Sequence, residues 1–156
     1  MKFELWQIDK TKDKNLALAI DKLLARLQPL HPLSLKTIKG GANKGLSPQQ
    51  IKERQGQTIL DLLQPADYLI LLDEKGTLSD SRSFARKIER WRDMPTKRGV
   101  FLIGGAYGFS PTLYKRAQQK LSLSPMTFTH QLIRLIFMEQ IYRAFTIIHN
   151  LPYHNE

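Results

Sequence analysis

Apolar side chains recur along the chain in two patterns, which predict a succession of strands and helices. Alternating or continuous apolar runs are typical of strands, and they occupy residues 3–8, 33–38, 68–72, 100–103 and, very briefly, 121–123. Helical spacing or helix-start signals predict helices over 15–27, 48–63, 79–93 and 128–148, with a further helix beginning at Ser110-Pro111. Strands that alternate with helices indicate an α/β fold with a mostly parallel sheet.

Three loops that follow predicted strands are candidates for a binding site, because ligands of parallel sheets bind beyond the strands' carboxyl ends. The loop after Leu72 turns acidic, the loop after Ile103 is rich in glycine, and residues 121–130 combine serine with apolar side chains. Glycine permits close backbone approach, and backbone amides beside an apolar wall suit a flat heterocycle such as the adenosine of a methyl donor. A plain strand-to-helix turn would explain each loop equally well.

Several common site motifs are incomplete or missing. Residues 40–47 lack the lysine of a phosphate loop, because Leu46 stands in its place, and we expect a mobile basic loop there. Gly104-Gly105-x-x-Gly108 departs from the dinucleotide fingerprint, which argues against a nicotinamide cofactor. The four histidines have no metal-ligand spacing, and the sequence contains neither cysteine nor a Gly-x-Ser-x-Gly motif. We therefore expect no metal site and no hydrolase chemistry.

Length and charge add two further expectations. A chain of 156 residues should form one domain, spanning 1–156. Lysine and arginine outnumber aspartate and glutamate by 24 to 14, which favours a polyanionic partner, although a merely basic protein would show the same balance. Residues 1–9 lack the apolar region of a secretory signal, and no segment is long and apolar enough for a membrane span. A cytoplasmic protein without membrane contacts is expected.

The three loops and the C-terminal third of the chain together resemble one known family. The residues are Leu72-Asp73-x-x-Gly76, Ile103-Gly104-Gly105-x-x-Gly108, Leu121-Ser122-Leu123-Ser124-x-Met126-Thr127-x-x-His130, Arg134, Glu139-Gln140-x-Tyr142-Arg143-Ala144 and Pro152-Tyr153-His154. In this combination the chain is similar, over essentially its whole length, to the RlmH family of ribosomal RNA large subunit methyltransferases. It departs from the family's usual pattern at Gln7-Ile8-Asp9-Lys10 and at Gln55-Gly56.

The resemblance implies a SPOUT-type fold, a Rossmann-like and mostly parallel sheet with a C-terminal trefoil knot. It further implies transfer of a methyl group from S-adenosyl-L-methionine to N3 of a pseudouridine in 23S ribosomal RNA, with the assembled ribosome as partner and a homodimer as the working form. The residues that it places against the donor are Leu72, Gly104, Gly105, Leu123, Ser124, Pro125, Met126, Thr127 and Phe128.

Chemistry at the pseudouridine requires a group that removes the N3 proton or stabilises the resulting anion. His154 is the leading candidate for accepting the proton or orienting the base. Tyr153 could stack on the base or donate a hydrogen bond to it, and Arg143 could hold the anion or a phosphate. The structural alternatives are a disordered terminal histidine, a tyrosine that docks the tail, and a salt bridge between Arg143 and Glu139.

Other basic residues could contact the RNA. Arg134 is a second candidate for the anion or a phosphate. Phosphates could also be tracked by Lys36, Lys39, Lys44, Arg82, Arg86, Arg90, Arg92, Lys97 and Arg98. His130 is expected to cap the last helix, whose second apolar face suggests dimer packing. Two other functions stay open: a SPOUT methyltransferase for another RNA, and a catalytically silent RNA-binding or ribosome-binding module.

Overall fold

The computed structural model describes residues 1–155, and it confirms the alternation of strands and helices. The elements are β1 (Lys2–Ile8), α1 (Lys14–Leu27), β2 (Leu33–Ile38), α2 (Pro48–Leu62), β3 (Tyr68–Thr77), α3 (Ser81–Arg92), β4 (Arg98–Ile103), α4 (Pro111–Arg116), β5 (Gln119–Leu121) and α5 (Leu132–Ile148). The five strands pair in parallel in the order β2-β1-β4-β3-β5. All five strands therefore end at one side of the sheet, which we call the carboxyl edge; the opposite side is the amino edge.

Helices α2 and α4 begin at the capping residues that the sequence predicts. Ser47 forms a capping box with Gln50, in which each side chain bonds to the other residue's backbone amide, and Pro48 opens α2. Ser110 caps α4 in the same position relative to Pro111. Helix α3 begins later than predicted, at Ser81, because the side chain of Asp80 accepts the backbone N–H of Ser83 at 2.7 Å.

The end of β3 was predicted wrongly. The strand does not end at Leu72 but continues to Thr77, and both of these residues pair with Leu121 of β5. Residues 73–76 therefore form an irregularity in the strand, which we call the bulge segment. Gly76 is required there, because a Cβ at this position would lie 2.6–2.7 Å from backbone atoms of Lys120 and Leu121.

The start of α5 was also predicted wrongly. The helix begins at Leu132 rather than at residue 128, and residues 122–131 are irregular. His130 does not cap it; instead, the hydroxyl of Thr129 accepts the backbone N–H of Leu132 at 3.2 Å. Strand β5 likewise lies over Gln119–Leu121, slightly before the predicted 121–123.

Two apolar layers cover the sheet. Helices α1, α3 and α5 pack on the face that carries Phe3 and Phe101, whereas α2 and α4 pack on the face that carries Trp6 and Leu102. Helix α5 begins at the carboxyl edge and runs toward the amino edge, where the ring of Phe145 lies 6.3 Å from that of Phe3. No helix among residues 1–155 has the length and apolarity needed to cross a membrane. The trefoil knot stays a prediction.

Candidate active site

A cavity of about 790 Å³ lies at the carboxyl edge, where β3, β4 and β5 end. The three loops singled out in the sequence converge on it, and we call it the loop cavity. Eight of the nine residues predicted to hold a donor line it: Leu72, Gly104, Gly105, Leu123, Ser124, Met126, Thr127 and Phe128. Pro125 is the exception. The convergence follows from the strand order, because β3 is paired with β4 on one side and with β5 on the other.

The glycine-rich loop after β4 leaves room for a ligand close to the backbone. Gly105 and Gly108 form an isolated antiparallel bridge, and Gly108 adopts a φ of 78°, which favours glycine. A Cβ on Gly104 would lie 3.1–3.4 Å from the buried ring of Phe109, and a Cβ on Gly105 would lie 2.8 Å from the side-chain oxygen of Gln55. Larger side chains at either position would therefore have to extend into the cavity or displace these neighbours.

The loop after β5 contributes apolar side chains that the rest of the chain leaves uncovered. The hydroxyl of Ser122 donates to the carbonyl of Ser124 at 2.9 Å, and the hydroxyl of Ser124 accepts the backbone N–H of Met126 at 3.0 Å. These bonds fix the start of the loop. Met126 is 73% exposed and Phe128 is 40% exposed, although both line the cavity. Their exposed apolar surface can cover the face of a flat ligand.

Arg134 anchors the start of α5 behind the cavity. Its side chain is 1% exposed, and its guanidinium donates to the carbonyl oxygens of Ile8 (2.7 Å) and Asp9 (3.1 Å) and to the hydroxyl of Thr11 (3.0 Å). Burial lowers its pKa from the usual value. The prediction that Arg134 holds a phosphate is therefore wrong, since its guanidinium group is buried and faces the interior of the protein. Because Ile133 lines the cavity, Arg134 positions that wall.

The three predicted catalytic residues lie together, and with Glu139 they form what we call the tail cluster. Arg143 Nη1 lies 3.3 Å from Nδ1 of His154, and its guanidinium carbon lies 4.9 Å from the centre of the Tyr153 ring. Glu139 forms an ion pair with Arg143 and accepts the Tyr153 hydroxyl at 3.2 Å. Burial, the Glu139 charge and this hydrogen bond raise the pKa of Tyr153. The salt bridge and the docked tail foreseen as structural alternatives are both present.

The tail cluster is separate from the loop cavity of the same chain. Ile133 lines the cavity, but Arg143 is ten residues further along α5, about 15 Å at 1.5 Å per residue. No cavity-lining residue within the described chain comes from positions 134–155. The structure thus brings the predicted donor residues together and the predicted catalytic residues together, but not the two sets.

Some basic residues proposed for RNA are engaged elsewhere. Arg98 forms ion pairs with Asp67 and Glu4 at the amino edge, away from the cavity. Burial opposes ionisation of Asp67, but the hydrogen bonds and charge of Arg98 outweigh it and hold the pKa of that carboxyl below its usual value. Arg92 similarly pairs with Asp93. Neither arginine is placed to track RNA across the cavity.

The loop after β2, which the sequence predicts to be mobile, is hydrogen-bonded at its start to helix α2. Arg54 of α2 donates to the carbonyl oxygens of Gly40 (2.7 Å) and Ala42 (2.5 Å). Lys39 and Lys44 remain exposed on it.

Other cavity-lining residues belong to the three candidate loops, although the sequence did not assign them to the donor: Asp73, Glu74, Lys75, Ile103, Ala106, Tyr107, Gly108, Leu121, Thr129 and His130. The sequence analysis missed four lining residues outside those loops, namely Lys52, Phe109, Tyr114 and Ile133. Lys52 lies on helix α2, where no motif marks it. Within residues 1–155, no group of three or more His, Cys, Asp or Glu side chains could hold a metal ion.

Comparison with known proteins gives consistent results. The family model described as "Predicted SPOUT methyltransferase" matches residues 1–154. Proteins named ribosomal RNA large subunit methyltransferase H are 49% identical in Parabacteroides distasonis and 47% identical in Phocaeicola vulgatus, each over 100% of both chains. Among solved structures, a probable methyltransferase from Bordetella pertussis superposes with a TM-score of 0.54 at 10% identity, covering 92% of this chain and 93% of that one. At that identity the likeness concerns the fold alone.

Proposed function

The chain belongs to the SPOUT methyltransferase family, and from this premise we propose that it transfers the methyl group of S-adenosyl-L-methionine to large-subunit ribosomal RNA. The observation that carries the proposal is the loop cavity, which eight of nine predicted donor residues line. The ribosomal RNA named for the full-length relatives supports the substrate class. As the target we propose N3 of a pseudouridine in 23S RNA, which the resemblance in sequence implies. Residues 1–156 then form one catalytic domain, and a ribosomal substrate places it in the cytoplasm.

The cavity fits the donor by size and by chemistry. Its volume of about 790 Å³ lies within the range of sites for small molecules and cofactors, roughly 300–1,000 Å³. Met126 and Phe128 offer exposed apolar surface for the adenine, and Gly104 and Gly105 allow the ligand to approach the backbone. When bound, the donor supplies an electrophilic methyl group on a sulfonium. The protein's own contribution is to hold this group in line with the nucleophile and to exclude water.

The working form in this proposal is a homodimer in which the tail cluster of one copy completes the loop cavity of the other. Two observations support it. The cluster is built in an ordered arrangement, yet it lies about 15 Å along α5 from the cavity of its own chain. In addition, Leu132, Leu135 and Ile136 on α5 remain only partly buried within one copy, and an apolar helix face of this kind suits a subunit interface.

Within the tail cluster, His154 acts as a hydrogen-bond donor rather than as the first proton acceptor. An arginine N–H can only donate, so Nδ1 of His154 accepts from Arg143 and the neutral ring carries its proton on Nε2. Nε2 is buried within the single chain, and in this proposal binding of the RNA at the dimer interface exposes its N–H to the negative charge that develops on the pseudouridine imide. Tyr153 is held by Glu139 and can stack on the base. The proton on N3 is then lost to solvent, and the nearby positive charge of Arg143 favours this loss.

The direct test is incubation with labelled donor and ribosomes from a strain that lacks this methylation, followed by nucleoside mass spectrometry. Label in 3-methylpseudouridine is expected. Label in another nucleoside would indicate a different RNA target, and donor binding without transfer would indicate a silent binding module.

A complementation experiment tests the shared site. Gly105→Trp should remove donor binding, and His154→Ala should remove the tail function. Each variant alone is expected to be inactive. Mixed and reassociated in equal amounts, they should recover about a quarter of the activity, since half of the dimers are mixed and each has one intact site. No recovery from a mixture that forms mixed dimers would contradict completion by the partner.

A further inference from the structure

A second groove lies beside the loop cavity, on the other side of the bulge segment. Its volume is about 400 Å³, and its lining includes Lys75, Thr77, Tyr114, Gln118 and Lys120. We call it the side groove. Lys75 and Tyr114 line both spaces, so the two sites have a common wall. The residues that line the side groove, all within the described chain, include two lysines and no carboxylate.

The backbone around the bulge segment creates this groove. Strand β5 is short and lies at the edge of the sheet, with β3 as its neighbour. Because Leu72 and Thr77 both pair with Leu121, the four residues between them interrupt the register of the ladder, and Lys75 among them lines both spaces. Gln119 and Lys120 on β5 are exposed. The groove is therefore open to solvent, and it shares Lys75 and Tyr114 with the loop cavity.

Tyr114 presents a fixed aromatic ring at this common wall. Its hydroxyl donates to the carboxylate of Asp73, and its ring meets the ring of Phe109 edge-on at 5.9 Å and 85°. The residue is nevertheless 39% exposed. Nζ of Lys120 lies 5.6 Å from the centre of the ring. A cation over an exposed ring contributes only about 0.5–1 kcal/mol, so a stacked base could displace the ammonium toward a phosphate.

We propose that the side groove binds the nucleotide adjacent to the methylated one, with its base against Tyr114 and its phosphate between Lys75 and Lys120. The inference rests on the proposed function, because it takes the RNA to enter the loop cavity. Single-stranded RNA is held in this way in general, by aromatic side chains that stack on bases and by basic side chains that contact the backbone. The common wall places the two nucleotides side by side, as consecutive residues of one strand require.

The test uses the full-length protein and a short fluorescein-labelled single-stranded RNA at low salt. Lys120→Ala is the main variant, because Lys120 lines the side groove and not the loop cavity. Lys97→Ala is the matched control: the sequence made Lys97 a candidate for phosphate contacts, but it lines neither space and lies exposed at the amino edge, next to the start of β4. We expect Lys120→Ala to raise the RNA Kd by about 3- to 10-fold and to reduce the salt slope by about 0.7. Lys97→Ala should change neither value.

The aromatic part is tested by two substitutions of Tyr114. Tyr114→Phe keeps the ring and should retain RNA binding, whereas Tyr114→Leu should weaken it by roughly 5- to 150-fold, the range expected for loss of one stacked base. Equal effects of Lys120→Ala and Lys97→Ala, or equal effects of the two Tyr114 variants, would overturn the proposal. So would displacement of the RNA by poly-glutamate as efficiently as by unlabelled RNA, which would indicate a general anion surface.

Calorimetry with S-adenosyl-L-methionine separates this inference from the proposed function. Lys120→Ala should bind the donor as the wild type does. Donor binding that persists while the RNA effects are missing would refute the side groove alone. Absence of donor binding by the wild type would instead refute the proposed function.

Discussion

Replacement of Arg134 by methionine should destabilise the protein and weaken donor binding together. The guanidinium is buried and donates to two backbone carbonyl groups and one hydroxyl of the segment after β1, namely Ile8, Asp9 and Thr11. Methionine fills most of the same space but donates no hydrogen bond. The Ile8 carbonyl oxygen would lose its partner in an environment that water reaches poorly, whereas water can reach the carbonyl of the exposed Asp9.

The expected size follows from these contacts. A buried acceptor left without a partner costs about 1–3 kcal/mol, which applies to the Ile8 carbonyl, and loss of the more accessible bonds to Asp9 and Thr11 adds about 1 kcal/mol. The wild-type protein also pays a desolvation penalty for the buried charge, as the lowered pKa of Arg134 indicates, and methionine removes that penalty. Part of the destabilisation is therefore offset. A net loss of about 2 kcal/mol in the free energy of unfolding is therefore expected. The donor Kd should rise about tenfold, equivalent to about 1.4 kcal/mol, because Ile133 and His130 next to Arg134 line the cavity.

Urea unfolding followed by circular dichroism measures the first quantity, and calorimetry with S-adenosyl-L-methionine measures the second. Gln131→Ala is the comparison, because Gln131 accepts the exposed backbone N–H groups of Lys12 and Asp13 at 2.9 and 3.1 Å. Water can replace that acceptor, so the loss there should be about 1 kcal/mol or less. A loss below about 0.5 kcal/mol for Arg134→Met would refute the assignment of Arg134 as a buried anchor. Lost stability with unchanged donor affinity would refute its role in positioning the cavity wall.

Three further changes have defined outcomes. Gly105→Trp should abolish donor binding by calorimetry while Gly105→Ala, which meets only the flexible end of Gln55, weakens it slightly; retained affinity in the tryptophan variant would contradict the placement of the donor. Arg98→Met should destabilise the protein above pH 4 and progressively less below it. The pKa of Asp67 is depressed in the folded protein, so the ion pair with Arg98 stops contributing to stability as the pH falls through that pKa. A pH-independent difference in urea unfolding would contradict this. His31→Phe should make the loss of stability below pH 6.5 less steep. Burial lowers the pKa of His31 in the folded protein, so protonation of this residue on acidification favours the unfolded chain. An unchanged dependence of stability on pH would argue against this role of His31.

The sequence predicted helices and strands correctly where neighbouring residues determine where they begin or end. The serine-proline starts of α2 and α4 and the apolar run of β4 depend on near neighbours, and they were found. The continuation of β3 to Thr77 depends on pairing with Leu121, more than forty residues away. The polar sequence of the bulge segment gives no sign of that pairing. Helix α5 begins late because Thr129 supplies the cap, although the apolar pattern extends further back.

The candidate site was predictable in its parts and not in its assembly. Glycine and apolar loops after strands indicate a binding edge from sequence alone, and the resemblance names the residues. The position of Tyr153 and His154 depends on how the tail folds back on α5, where Leu151 donates to the carbonyl of Thr146 at 2.8 Å. Such a contact has no periodic signature. The engagement of Arg134 with Ile8 is equally long-range, and an arginine in an amphipathic pattern gives no indication of burial.

A crystal structure of the protein with S-adenosyl-L-homocysteine, the demethylated form of the proposed donor, tests the central claim most directly. We expect a bent ligand in the loop cavity, with its adenine against the loop of residues 123–128 and its backbone contacts at Gly104 and Leu72. A ligand bound elsewhere on the chain, or a loop cavity that stays closed to it at saturating concentration, would contradict this placement of the donor.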